Sequence, residues 1–199
     1  MVLMINKNET FNNLFVLELA NNHWGDLDRG LEIIRQYGEV VKKHGVKAAV
    51  KLQFRDPETF IHPDFLDLAT KKEGSEVTDA PGSNTRYVEK TLRTVLSEDE
   101  YKTLLDEVKK FGMVTMSTPF DEKSVDMCDR LNIEVMKIGS GTTKSPSLLS
   151  KVRDLGRPLF PVVVPTLRIW TKWLNCSKKK MSPWRLITAF LFIRQKTVS

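Results

Sequence analysis

Between residues 14 and 160, short apolar runs alternate with stretches in which apolar residues recur every three or four positions. The runs at 15–19, 48–54, 114–117 and 134–139 predict strands. Asp26 precedes Leu27, Leu31, Ile34 and Val41, an apolar stripe at helical spacing, and predicts an N-cap. Lys42 and Lys43 suit the negative end of that helix, and Gly45 stops it. Ser97 and Glu100 have the spacing of a capping box, for a helix that buries Leu104, Leu105 and Val108 and ends near Gly112. A helix after Pro119 turns Val125, Cys128 and Leu131 inward. Ser145-Pro146 sets an N-cap before proline at the first helical position; Leu148, Leu149, Val152 and Leu155 form the buried face, and Gly156 ends the helix. Residues 157–160 start a fifth strand. Residues 55–95 break the alternation with a long polar excursion that contains Pro and Gly and predicts only short helical pieces.

Four successive strand-helix units predict a parallel sheet in an α/β fold. An open doubly wound sheet and half of a (β/α)8 barrel look alike at this level, and the polar residues help to separate them. Glu18 ends the first strand, with Asn21, Asn22 and His23 just after it. Lys51 and Gln53 lie two apart on the second strand and so share a face. Ser117 and Thr118 end the third strand; Lys137 and Ser140 mark the end of the fourth. Every strand thus delivers polar groups at its C-terminal end, which in a (β/α)8 barrel is the active-site mouth. Lys51 and Lys137, on even-numbered strands, share an interior layer in such a barrel.

An ammonium within an apolar strand is costly unless paired. A small anion would answer both lysines at once, with the hydroxyls of Thr118 and Ser140 and the amide of Gln53 suited to a carboxylate or phosphate. Either lysine alone would more simply snorkel or pair with a structural acid; the two together, at matching strand ends, favour the anion site. Glu18 reads equally as a neutraliser of one lysine or as a reacting group. His23 reads equally as a packing, capping or catalytic residue, whereas His44 reads as a helix-end residue and His62 as a loop residue. Gly139-Ser140-Gly141 is a turn that could turn N–H groups toward an anion, a weak signal by itself.

Composition adds exclusions. No apolar run reaches the roughly 20 residues of a membrane helix, and the polar start has no signal-peptide core. Cys128 and Cys176 are too far apart for a known metal motif, which predicts reduced thiols and a cytoplasmic setting. The net charge of +6 belongs to the end of the chain: residues 161–199 hold eight Lys or Arg and no acid, leaving 23 basic and 25 acidic residues elsewhere. No basic stripe outside that segment predicts nucleic-acid binding.

The polar strand ends fall within four motifs that resemble those of the sialic acid synthase family. They are Glu18 to Gly25 (ELANNHWG), Lys51 to Phe54 (KLQF), Phe111 to Asp121 (FGMVTMSTPFD) and Met136 to Gly141 (MKIGSG), in family order over residues 14–160. The resemblance implies the first four to five βα units of a (β/α)8 (TIM) barrel. It implies a carbon–carbon bond-forming transferase that condenses phosphoenolpyruvate with an N-acylated amino sugar and releases phosphate. In that reading Lys51, Gln53, Thr118, Lys137 and Ser140 hold phosphoenolpyruvate, Glu18 lies beside the reacting carbons, and Asn22, His23, Ser117 and Thr142 line the site. A divalent metal, manganese or magnesium, polarises the sugar aldehyde in intact members; its two histidine ligands belong to the second half of the barrel, so none is expected to bind this chain. An intact member could be a homodimer. Thr142 stands where many members have a Glu that contacts the sugar.

After Phe160 the character changes: no Gly, no acid, three of the four Trp and a Lys178-Lys179-Lys180 run. When the third base of each codon is read with the first two of the next, Trp170-Thr171 encodes Asp and Asn175-Cys176 encodes Leu. The shifted frame then permits the fifth-strand region of the family and an H-C-V-S-x-Y-P run like its sixth-strand motif. The expectation is therefore residues 1–160 as the N-terminal part of the barrel and 161–199 as an out-of-frame tail without a domain, in a truncated chain with little or no activity. The rival expectations are another phosphoenolpyruvate-condensing or aldolase-type barrel, or a non-catalytic product that binds an anion or a partner.

Overall fold

The computed structural model describes residues 11–64 and 84–161. Five strands, β1 (Leu14–Ala20), β2 (Lys47–Phe54), β3 (Val114–Pro119), β4 (Val135–Ile138) and β5 (Leu159–Pro161), form one sheet in the order of the sequence. All neighbouring pairs are parallel. The connections carry helices α1 (Leu27–His44), α2 (Pro57–Phe60), α3 (Asn84–Arg93), α4 (Glu98–Lys110), α5 (Glu122–Arg130) and α6 (Pro146–Asp154). Spatial order follows sequence order with no reversal among the described strands, unlike a doubly wound sheet, whose order turns back at a switch point. The α/β architecture is that of the leading βα units of a barrel.

The caps form as the local sequence dictates. Asp26 accepts from the Arg29 N–H at 3.0 Å. Gly45 ends α1 in the left-handed conformation at φ 59°. In the capping box of α4, Ser97 N–H donates to Glu100 Oε2 at 2.7 Å and Glu100 N–H donates to Ser97 Oγ at 3.3 Å. Ser145 stands at the N-cap of α6 before Pro146, but its hydroxyl meets Ser147 Oγ at 3.3 Å instead of a helix N–H.

β4 is shorter than the predicted 134–139 for a physical reason. The Glu134 carboxylate takes the Thr115 N–H at 2.8 Å and the Thr115 hydroxyl at 3.0 Å, so a side chain stands where the ladder would continue. At its other end Gly139 turns into a 3-10 helix at Ser140–Thr142. β5 begins at Leu159 instead of 157, because the Arg157 side chain is engaged with the Ile133 carbonyl and the Asp129 carboxylate.

Period-two alternation divides each strand between two faces. The outward face joins the helices: Leu19, Val50, Leu52, Phe54, Met136 and Ile138 pack with Ile34, Leu104, Leu105, Val108 and Val125. The inner face has a small apolar layer of Ala49, Met116 and Val135, flanked by Leu14, Val16 and Val114. One step further along the strands, toward their C-terminal ends, that inner face becomes polar. The reading of 161–199 as an out-of-frame tail falls, apart from Pro161, outside the described residues. Among the described residues no helix is long and apolar enough to cross a membrane.

Candidate functional site

Above the apolar layer, β1 contributes Glu18 and β2 contributes Lys51, which are direct register partners. Lys51 is 1% exposed, and its Nζ lies 2.5 Å from Glu18 Oε1. The other oxygen, Oε2, is 3.3 Å from Lys137 Nζ on β4. One carboxylate therefore bridges two ammonium groups whose residues are 86 positions apart in the chain (Lys51 to Lys137). Burial pushes the pKa of Lys51 down; the Glu18 carboxylate opposes this, while Lys137 and Arg55 add to it.

Gln53 occupies the next inward position of β2, opposite Thr118 of β3. Its Oε1 accepts from Arg55 Nη2 at 2.9 Å and from Asn21 Nδ2 at 3.4 Å. The Arg55 guanidinium lies 4.8 Å from the Phe120 ring centroid and 5.2 Å from that of Phe60. Thr118 is buried, and among the described residues its Oγ1 has no hydrogen-bond partner. Its methyl group also lies against Gly139: a Cβ at 139 would sit 3.3 Å from it. Ser140 is exposed at the start of the 3-10 turn. The turn is braced from within, by Thr142 Oγ1 donating to the Gly139 carbonyl at 3.0 Å and Thr143 Oγ1 donating to the Ser140 carbonyl at 2.7 Å.

Glu18, Lys51, Lys137, Gln53 and Thr118 are thus gathered on the inner face at the C-terminal ends of four adjacent strands, with Ser140 and Thr142 on the turn beyond β4. Two residues expected to line the site lie elsewhere. Ser117 has the opposite parity to Thr118, so it points into the helix layer, beside the Cys128 thiol, whose pKa burial pushes up to about 12. His23 is fully buried on the helix side: its ring meets Tyr101 edge-on at 6.0 Å, and its Nδ1 accepts the Gly25 N–H at 3.1 Å. Burial lowers its pKa to about 4, with Glu100 opposing, so the ring is neutral at pH 7. Asn22 is exposed, and its carbonyl accepts from Arg29 Nε at 2.9 Å, which ties the β1–α1 loop to α1.

Sequence reasoning missed Arg55 and left Asn21 without a role. The signal for Arg55 was present, since Lys51, Gln53 and Arg55 continue a period of two past the end of the strand. The partners that hold it, Phe60 and Phe120, are remote in sequence and carry no local signature.

The mouth brings together three cations, Lys51, Lys137 and Arg55, with one carboxylate, and a buried hydroxyl and an amide beside them. That donor set suits a multiply charged anion with oxygen acceptors. Among the described residues no group of three or more His, Cys, Asp or Glu stands together as a metal cluster. Glu18 already serves two ammonium groups, and the exposed His62 pairs with Asp64 at 3.5 Å.

Over 145 residues the chain is 33% identical to an uncharacterised protein of Methanocaldococcus jannaschii, a match over 73% of this chain and 36% of that protein. It is 32% identical to the N,N'-diacetyllegionaminic acid synthase of Legionella pneumophila, over 73% of this chain and 38% of the enzyme. It is 29% identical to the N-acetylneuraminate-9-phosphate synthase of Mus musculus, over 72% and 37%. The chain thus spans little more than a third of the length of these relatives. A spore coat polysaccharide biosynthesis protein E of Chromobacterium violaceum superposes with a TM-score of 0.68 at 28% identity, over 84% of this chain and 46% of that one. The N-acetylneuraminic acid synthetase of Leptospira borgpetersenii shares the fold with a TM-score of 0.66 at 21% identity, over 87% and 52%. The model of the NeuB family matches residues 39–163, from within α1 to just past β5, and the chain belongs to that family.

Proposed function

We propose that residues 14–161 are the phosphoenolpyruvate-holding part of a nonulosonic acid synthase, an enzyme that joins phosphoenolpyruvate to an N-acylated amino sugar. The observation that carries this reading is the pair Lys51 and Lys137, drawn from separate strands to a single carboxylate, with Lys51 almost wholly buried. A fold with only structural needs would fill an inner barrel layer with apolar side chains, as it does one step below with Ala49, Met116 and Val135. The synthases among the relatives support the same reaction class.

In this proposal the phosphate and carboxylate of phosphoenolpyruvate take over Lys51 and Lys137, and Glu18 is released from them. Gln53 Nε2, Thr118 Oγ1 and Ser140 Oγ donate to the same anion. The ligand is thereby held with its C3 toward the open end of the mouth. C3 forms the new bond to the sugar aldehyde carbon, whose oxygen gains a proton. Water adds at C2, the bond from C2 to the phosphate oxygen breaks, and phosphate leaves with the two lysines as counter-ions. The released Glu18 carboxylate stands beside these carbons as a proton acceptor for the water. The divalent metal that the family resemblance implies would polarise the sugar aldehyde, and the described residues hold no cluster of three or more His, Cys, Asp or Glu for it.

Calorimetry of the 199-residue chain with phosphoenolpyruvate tests the anion site, with Lys51→Met and Lys137→Met as controls. Weak binding that weakens further with salt and is lost in both variants is expected. Unchanged binding in both variants would exclude the site. A phosphate-release assay with N-acetylmannosamine and manganese is expected to give no turnover, since the two histidine ligands that the resemblance implies belong to the second half of the barrel. Metal-dependent turnover would overturn that part of the reading.

A further inference from the structure

Gln53 has an amide that can face the mouth with either its oxygen or its nitrogen, and only the nitrogen can donate to an anion. The neighbours decide which. Arg55 Nη2 lies 2.9 Å from Gln53, and a guanidinium has donors but no acceptor, so the atom that faces it must be the oxygen. Asn21 Nδ2 approaches the same oxygen at 3.4 Å from the β1–α1 loop. With Oε1 engaged from two sides, Nε2 is the amide atom left to turn elsewhere, and Gln53 shares its face of β2 with Lys51.

Arg55 is itself held. Its guanidinium packs within 4.8 Å of the Phe120 ring centroid and 5.2 Å of that of Phe60. These two rings meet each other edge-on with centroids 5.8 Å apart. Phe60 belongs to α2 and Phe120 follows β3, so the clamp is built from two separate connections at the same end of the sheet. The backbone is fixed nearby as well: Phe120 N–H donates to the Phe54 carbonyl at 3.1 Å, and Asp56 N–H donates to Asp121 Oδ2 at 2.7 Å. A planar cation stacked on aromatic rings keeps one orientation in a way that a flexible ammonium cannot.

We infer that Arg55 is a positioning residue, which, clamped by Phe60 and Phe120, locks the Gln53 amide with its N–H donors toward the anion site. The inference rests on the anion-site reading above for its consequence, but the locked amide itself is a property of the free protein.

The test uses both. In the ¹⁵N spectrum of the full chain, the Gln53 side-chain amide pair is assigned by its loss in Gln53→Glu. Two well-separated resonances, shifted from those of a free glutamine, are expected. In Arg55→Lys and Arg55→Gln they should move to free-glutamine positions while the rest of the spectrum stays dispersed. Phe120→Leu, which keeps Arg55 and Gln53 but opens one side of the clamp, should move the same resonances part of the way. The Kd for phosphoenolpyruvate should rise about tenfold in Arg55→Lys, the size of one lost charge-assisted hydrogen bond. Retention of affinity in Arg55→Lys, or Gln53 resonances indifferent to Arg55 and Phe120, would overturn the inference. Loss of affinity with unmoved Gln53 resonances would overturn it in favour of Arg55 as a direct ligand. If the wild-type chain binds no phosphoenolpyruvate yet the Gln53 resonances depend on Arg55, the positioning role stands and the anion-site reading falls.

Discussion

Glu18 is the internal counter-ion of two lysines, and any anion that enters the mouth must compete with it. Glu18→Gln removes that competitor. Phosphoenolpyruvate or inorganic phosphate should then bind several-fold more tightly by calorimetry. Without ligand, the variant leaves the Lys51 ammonium buried and unneutralised, and urea unfolding should report a loss of roughly 2 kcal/mol, below the range for a fully buried pair because Glu18 is half exposed. Lys51→Met should behave in the opposite way, with a urea midpoint equal to or above that of wild type and no anion binding, since an apolar side chain escapes the desolvation cost. A Lys51→Met chain that is destabilised by several kcal/mol would mark the pair as structural. His23 gives a second prediction at this scale. Its pKa falls from 6.5 to about 4 on folding, so the unfolded chain binds the proton more readily and stability falls as pH drops through this window. Between pH 7 and pH 5 the loss should be about 2 kcal/mol, measured by urea titration at each pH. His23→Gln should flatten that slope; an unchanged slope would assign the pH dependence to other groups. Lys51, Gln53 and Lys137 were legible in the sequence because alternation fixes the face of a strand residue. His23 and Ser117 were not: one lies in a loop whose path only tertiary packing sets, and the other differs from Thr118 by a single step of parity.

The helices were legible wherever a cap announced them, as with Asp26, the Ser97 and Glu100 box, and Gly45. What the apolar stripe of α1 did not reveal is that two glycines stand with Ile34 on its buried face. Gly30 and Gly38 are spaced by eight on the buried face of α1. A Cβ on Gly38 would come within 2.2 Å of the Phe111 ring, and one on Gly30 within 2.9 Å of Leu104. These absent side chains let α1 approach α4 and the residue that follows it. Gly38→Ala should therefore destabilise by roughly 1–2 kcal/mol in urea unfolding, with the overpacking penalty outweighing the better helix propensity of alanine. Gly45→Ala supplies the contrast. Nothing lies within 4 Å of its Cβ position, but φ is 59°, so its cost of about 1 kcal/mol comes from the backbone alone. Equal stability of Gly38→Ala and wild type would mean that α1 and α4 are not in the close approach described. Most of the polar excursion predicted before α3, residues 65–83, lies outside the described residues.

Among the described residues, the parallel sheet laid down in sequence order ends on β1 and β5. Phe15 lies on the face of β1 that carries Leu17 and Leu19 into the helix layer, yet it is 58% exposed, whereas Leu19 is fully buried. Val40 on α1 is exposed to a similar extent, 56%. An exposed phenylalanine on an edge strand is an apolar contact position. An open parallel edge beside exposed apolar side chains is a site of self-association. Phe15→Asp should therefore reduce concentration-dependent association of the 199-residue chain in sedimentation velocity. Its urea midpoint should stay within about 0.5 kcal/mol of wild type, as for other exposed positions. A loss of 2 kcal/mol or more would mean that Phe15 is buried in solution against further chain or a second copy.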